Sequence, residues 1–149
     1  MWLGRANTGG DAVAWVPDVK LLMTGDIVVA PVPFAFGSYM TEWPAVVQKM
    51  IDMKPALIIP GHGPLMHDTS YFQLLKKTIE ALTVQVKKAV AQGKSLKETQ
   101  AEVKLDEYVK RLADGDKVHE SEIRGTFIQP GIDRAYQEAT GKLRPEGQE

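Results

Sequence analysis

The chain of 149 residues contains no cysteine. Disulfide bonds and thiolate metal sites are therefore excluded, while the absence of cysteine leaves the redox compartment open. The sequence also lacks an excess of charge of one sign, since its formal net charge is -1 and it has no polybasic segment. This balance gives no reason to expect nucleic acid or an anionic membrane surface as a partner.

The sequence has no long hydrophobic run. The longest apolar stretch, "IVVAPVPFAF", is too short to cross a bilayer and contains two prolines. The N-terminal segment "MWLGRANTGGD" has no apolar core, so it is not a signal peptide. Localisation stays open between cytoplasm and periplasm. Because this Gly-rich segment leads directly into a strand, we expect the chain to begin inside a longer fold.

Hydrophobic residues make up 44% of the chain and charged residues 25%, which is typical of a globular core. Residues 11–17 and 19–26 are predicted strands, joined as a hairpin by Pro17-Asp18. Residues 27–39 are predicted to open as a strand and continue as an apolar, Pro-broken loop. A helix over 41–53 and a wholly apolar strand over 55–60, expected in the centre of a sheet, complete a strand–helix–strand order typical of α/β proteins.

The second half of the chain is predicted to be helical. A long amphipathic helix covers 70–93, and a capping box of Ser95 and Glu98 opens a helix that reaches about residue 103. A further helix is predicted near 106–112, a polar loop over 114–121, a last helix over 130–141, and a frayed tail after it. We therefore divide the chain into residues 1–68 and a helical C-terminal extension, 69–149.

Two of the predicted strands end in side chains that can carry chemistry. Asp26 follows "LLMTG" and His62 follows "ALIIPG". Ligands in open α/β sheets bind outside strand ends, and a carboxylate with an imidazole is a natural half of a divalent metal site. Each motif alone also fits an ordinary turn. For His67 and His119, exposed surface positions are the simpler interpretation.

Taken together and in order, the segments "GRANTGGDAVAWVPDVKLLMTGDIV" and "ALIIPGHGP" resemble the C-terminal half of a metallo-β-lactamase-fold hydrolase. The resemblance covers about residues 3–66, and the remainder is similar to the helical extension of a subgroup of that family. It implies a mixed α/β (α+β) fold, the C-terminal half of an αββα sandwich. It also implies one or two metal ions, usually zinc, with Asp26 as the bridging and catalytic aspartate and His62 as a ligand of the second metal.

This sequence departs from the family pattern in two places. The His-x-His-x-Asp-His cluster is missing, and the only histidines, His62, His67 and His119, cannot supply it. The family's middle histidine is replaced by Asn7, a weaker neutral ligand and a candidate contact to the metal or to a metal-bound water. Because zinc takes three or four protein ligands, the chain by itself is expected to bind metal weakly and to be inactive.

The resemblance implies a small-molecule substrate and hydrolysis of an ester, amide or thioester by a water activated on zinc, with iron or manganese as alternatives. Phe34, Phe36 and Tyr39 of the Pro-broken loop are expected to form a substrate wall. The alternative from another class is a truncated or degenerate non-catalytic module engaged in subunit contacts. Half a sandwich would expose an apolar sheet face, so we expect a homodimer or a complementing N-terminal half as partner.

Overall fold

The computed structural model describes residues 1–143 and has a three-stranded sheet beside a set of helices. The strands are β1 (Ala14–Val16), β2 (Leu21–Met23) and β3 (Leu57–Ile59), in the order β1-β2-β3. The β1 and β2 strands are antiparallel, so the predicted hairpin is confirmed, although both strands are shorter than predicted. The β2 and β3 strands are parallel.

The expectation that residues 55–60 form a central strand is wrong, because β2 is the central strand and β3 lies beside it at the other edge. The free side of β3 is instead covered by the chain that returns after His62. Ile58 and Met66 exchange two backbone hydrogen bonds of 2.8 and 3.0 Å, and Ile58 is fully buried. An apolar run thus indicates that a segment is buried, but a strand can be buried without a neighbouring strand on each side.

Residues 27–39 do not open as a strand, contrary to the sequence prediction. A 3₁₀ turn spans Gly25–Ile27, and the segment then makes a single bridge, between Val29 and His62. Prolines at 31 and 33 have no N–H to donate to a neighbouring strand, which explains why the ladder ends there.

The helix α1 (Trp43–Asp52) crosses between β2 and β3, and α2 (Ser70–Ala91) packs on it. The buried side chains of both helices recur at helical spacing, as the sequence predicted. On α2 the buried residues are Phe72, Leu75, Thr78, Ile79, Leu82, Thr83, Val86 and Ala89. Trp43, 1% exposed, contacts the Phe127 ring edge-on and donates its indole N–H to the Ile27 carbonyl, which ties α1 to the turn after β2.

The remaining helices are α3 (Leu96–Glu102), α4 (Asp106–Leu112), α5 (Lys117–Ile123) and α6 (Gln129–Ala139), with a π-helical segment at Arg124–Ile128. The predicted capping box is confirmed, since Ser95 and Glu98 bond each other's backbone N–H.

The polar loop predicted over 114–121 is wrong, because most of it belongs to α5. The Asp116 carboxylate caps this helix by accepting the N–H groups of Val118 and His119. Asp is a strong N-cap residue, and this signal outweighs the polarity of the segment. Of the predicted frayed tail, residues 144–149 lie outside the described residues.

One hydrophobic core includes residues from both predicted parts of the chain, because α2 packs against α1 on one side and α6 on another. The division at residue 68 stays a prediction. The second sheet of a sandwich is not seen among residues 1–143, so the structure supports a mixed α/β fold and the sandwich stays an expectation.

The sheet has one face on the core and one apolar face that the described residues leave open. Trp15, Leu22 and Ile58 share the core-facing register, whereas the alternate positions carry Ala14, Val16, Leu21, Met23, Leu57 and Ile59. Val16 and Met23 on this second face are each 39% exposed, and Trp2, bridged to Ala12 at the β1 edge, is 63% exposed. No described helix has the length and apolar character needed to cross a membrane.

Candidate functional site

The turn that carries Asp26 is fixed by backbone hydrogen bonds at the end of β2. Thr24 is fully buried and donates its N–H to the Ile59 carbonyl at 3.0 Å, so the turn is tied to β3. The Thr24 hydroxyl donates to the Gly25 carbonyl at 2.8 Å. Gly25 has a φ of +50°, in the left-handed region that glycine adopts most readily. This turn then brings the Asp26 carboxylate to the surface.

The turn that carries His62 lies directly against the Asp26 turn. The Gly61 N–H donates to the carbonyls of Gly25 and Val28, each at 3.0 Å, and Ala30 donates its N–H to the His62 carbonyl. A Cβ on Gly61 would lie 2.7 Å from the Gly25 carbonyl carbon and would also overlap the Asp26 carboxylate. Only glycine allows this approach, which explains the residue before His62.

These two turns bring Asp26 and His62 together, as the sequence predicted. The His62 Nε2 atom lies 3.5 Å from Asp26 Oδ1, which is long for a hydrogen bond. The two side chains are 67% and 44% exposed. A contact this exposed contributes little to stability, so the arrangement leaves a carboxylate oxygen and an imidazole nitrogen side by side and open to solvent.

This pair does not by itself fit a zinc ion. Catalytic zinc takes three protein ligands and structural zinc takes four. Among residues 1–143 there is no group of three or more His, Asp or Glu side chains placed to hold a metal ion. Within the described residues, Asp26 and His62 therefore place two potential donor side chains together without forming a complete zinc site.

Asn7 is buried in the loop before β1, with 2% of its surface exposed. Its Oδ1 atom has no hydrogen-bond partner within the described part of the chain. A buried acceptor without a partner is uncommon and costs about 1–3 kcal/mol. The next residue, Thr8, donates its N–H and hydroxyl to the Asp11 carboxylate at 2.6 and 2.7 Å, so Asp11 is the turn residue of this loop.

The three residues predicted as a substrate wall have different environments. Phe34 is half-buried and stacks on Phe36, whose side chain is 64% exposed, with ring centroids 6.1 Å apart. Tyr39 is buried, and the Arg5 guanidinium lies 4.4 Å from its ring centroid. The role of these residues in binding a substrate stays a prediction.

A groove of about 610 Å³ lies beside the His62 turn, and sequence reasoning missed it. Its lining comes from the Ala30-Pro31 segment, from Pro64 and Met66, from α2, and from the α4–α5 region. Because four separate segments meet there, no local sequence pattern could have indicated it.

The other two histidines stand apart from the Asp26–His62 pair. His67 is exposed in the loop before α2, as expected. His119 is partly buried on α5, in a helix where the sequence predicted a loop, and it lines the groove.

Comparisons with known proteins include a distant structural likeness. No family model matches this chain, and no curated protein matches it. Among solved structures it is similar to VMB-1, a metallo-β-lactamase, with a TM-score of 0.49 and 25% identity. The match covers 54% of this chain and 39% of that chain, so this chain aligns with well under half of the VMB-1 structure.

Proposed function

We propose that this chain is the C-terminal portion of a metal-dependent hydrolase of the metallo-β-lactamase superfamily. The proposal is carried by one observation, the juxtaposition of Asp26 and His62 at 3.5 Å on two interlocked turns. The order of the motifs along the sequence supports it as well. The substrate class that follows is a small molecule with an ester, amide or thioester bond.

Within this proposal the chain supplies a prearranged edge of the metal site, and other donors complete it. Zinc is the expected ion, with iron or manganese as alternatives, since carboxylate oxygen and imidazole nitrogen suit all three. A metal supplies Lewis-acid activation of water or of the substrate. Asp26 is the catalytic residue in this assignment, and Gly61 keeps its carboxylate and the His62 imidazole on adjacent turns.

The hydrolase proposal is tested on the complete gene product. An in-frame His-x-His-x-Asp-His segment upstream of Met1 is the expected finding. The complete protein should then hydrolyse a thioester, ester or amide in a zinc-dependent manner. Replacing one ligand should reduce activity strongly, whereas His67→Gln, which changes a histidine outside the pair, is the matched control.

Two results would contradict this assignment. One is an absence of any upstream metal-ligating cluster. The other is a zinc-dependent activity that survives both Asp26→Asn and His62→Gln with no more loss than in the control.

A second candidate function is a non-catalytic module that forms subunit contacts. The observation that favours it is the open apolar face of the sheet, where Val16 and Met23 are each 39% exposed. Soluble antiparallel sheets normally place polar residues on a face that contacts water. A homodimer, or a complementing N-terminal half, would cover this face.

Sedimentation velocity tests the second candidate directly. The wild-type chain should self-associate at micromolar concentration, and a Val16→Thr/Met23→Thr double variant, which keeps strand propensity, should dissociate. A Val84→Thr variant is the control, because Val84 is 67% exposed on α2 and away from the sheet. A monomeric wild-type chain with cooperative unfolding would argue against this candidate.

A further inference from the structure

The groove beside the His62 turn has an apolar floor built by both parts of the chain. Pro31, Pro64 and Met66 form the side nearest the sheet, and Leu112 and Ala113 form the side at the end of α4. Its volume of about 610 Å³ falls within the usual range of small-molecule sites, about 300–1,000 Å³.

Tyr71 of α2 lines the groove and is tied to the segment after β2. Its hydroxyl donates to the Val29 carbonyl at 2.8 Å, and burial raises its pKa well above the ordinary value for tyrosine. Tyr71 is therefore neutral, and its ring is a large apolar group among the lining residues.

The rim of the groove carries four ionisable side chains from the α4–α5 region. They are Arg111, Asp114, Asp116 and His119. The Asp116 carboxylate already accepts two N–H groups at the start of α5. The hydrogen bond from the His119 backbone N–H is the main cause that lowers the pKa of Asp116. Asp114 is exposed, in a turn with a φ of +50°.

Arg111 is the group that decides what the groove can recognise. Its guanidinium makes no hydrogen bond or ion pair with any side chain of residues 1–143. Arg124, in the π-helical segment, differs from Arg111 because it pairs with Asp106 at 2.7 Å. A planar donor fork with no side-chain partner among residues 1–143, beside an apolar groove, matches a carboxylate.

We propose that this groove binds a small molecule with an apolar acyl or aromatic body and one carboxylate, with the carboxylate on Arg111. The apolar body lies against Pro31, Pro64, Met66 and Tyr71. Asp114, also at the rim, opposes an anion there. Removing the Arg111 charge should therefore weaken binding of the carboxylate, and removing the Asp114 charge should strengthen it.

This groove is distinct from the Asp26–His62 pair but adjoins it in the chain. Pro64 follows His62 by two residues, and Ala30 donates its N–H to the His62 carbonyl. Ligand binding in the groove requires no metal, so the inference does not rest on the proposed hydrolase function.

Calorimetric titration with 4-phenylbutyrate tests the inference, with 4-phenylbutanol as the neutral counterpart and EDTA present to exclude metal. The wild-type chain should bind the carboxylate at least about tenfold more tightly than the alcohol, since hydrogen bonds to charged groups are the stronger ones. Arg111→Met should abolish this preference and leave binding of the alcohol unchanged. Asp114→Asn should tighten binding of the carboxylate.

Lys110→Met is the matched control, because it removes a neighbouring cation of α4 that pairs with Glu107 and does not line the groove. It should change the affinity for 4-phenylbutyrate by less than twofold, as expected for a solvent-exposed charge outside the site. Equal binding of acid and alcohol to the wild-type chain would overturn the proposal. So would an absence of binding, or an equal loss in the Arg111 and Lys110 variants.

Discussion

Gly61→Ala should destabilise the chain, because the added methyl group has no room between the two site turns. A Cβ at this position would lie 2.7 and 2.8 Å from the carbonyl carbon and oxygen of Gly25. These are backbone atoms of a turn already tied to β3, so they cannot move as freely as the end of a flexible side chain. The Gly61 backbone does not require a left-handed φ, so the variant tests space alone.

The size of this effect follows from three contributions. Overpacking costs about 1–3 kcal/mol. Displacing the shared Gly61 N–H from the Gly25 and Val28 carbonyls costs about 1 kcal/mol more. Loss of glycine from the unfolded chain returns about 0.4–1 kcal/mol. We therefore expect a net loss of about 2 kcal/mol in the free energy of unfolding, which is roughly 4–8 °C in Tm for a chain of this size.

Urea denaturation followed by tryptophan fluorescence measures this change. Gly10→Ala is the control, since nothing lies within 4 Å of a Cβ added there. The control should be neutral or stabilised by about 0.4–1 kcal/mol. If Gly61→Ala remains within about 0.5 kcal/mol of wild type, the two turns do not interlock as described.

Two further predictions concern the helical part of the chain. Ser95→Ala removes the capping box of α3 and should lower the free energy of unfolding, measured by urea denaturation, by about 1 kcal/mol. An unchanged free energy of unfolding would mean that tertiary contacts alone stabilise α3. Burial raises the pKa of Glu138, although its carboxylate accepts the Thr41 N–H at 3.0 Å. The contribution of Glu138 to stability is therefore present below about pH 4.3, the pKa of glutamate in an unfolded chain, and it is lost as the pH rises through the folded pKa. Glu138→Gln keeps an acceptor without the charge, and its stability relative to wild type should therefore rise between pH 4 and pH 7; parallel stability curves for the two proteins would contradict this.

The sequence predicted the parts of the fold that depend on local pattern. Strand-forming residues on either side of the Pro17-Asp18 turn located β1 and β2, helical spacing located α1 and α2, and the Ser95–Glu98 capping box located α3. The convergence of Asp26 and His62 was also predictable, because each follows a strand of one sheet and parallel strands end at the same edge.

The errors came from contacts between distant segments. β3 lies at an edge of the sheet, but its buried Ile58 pairs with Met66 of the returning chain through two backbone hydrogen bonds, so its apolar sequence matched a central strand. The groove near Tyr71 could not be predicted either, since its lining residues are scattered from Ala30 to His119. Asp116 is a different case: its capping role was readable, but the charged residues after it favoured a loop.

Zinc titration of the purified chain, monitored by calorimetry, tests most directly the claim that Asp26 and His62 form one edge of a metal site. Two donors should bind weakly, with a dissociation constant between about 1 µM and 1 mM if binding free energy scales with the number of ligands. Binding should be lost in both Asp26→Asn and His62→Gln and retained in His67→Gln. Zinc binding that persists in both site variants, or that falls equally in the His67 control, would contradict the account.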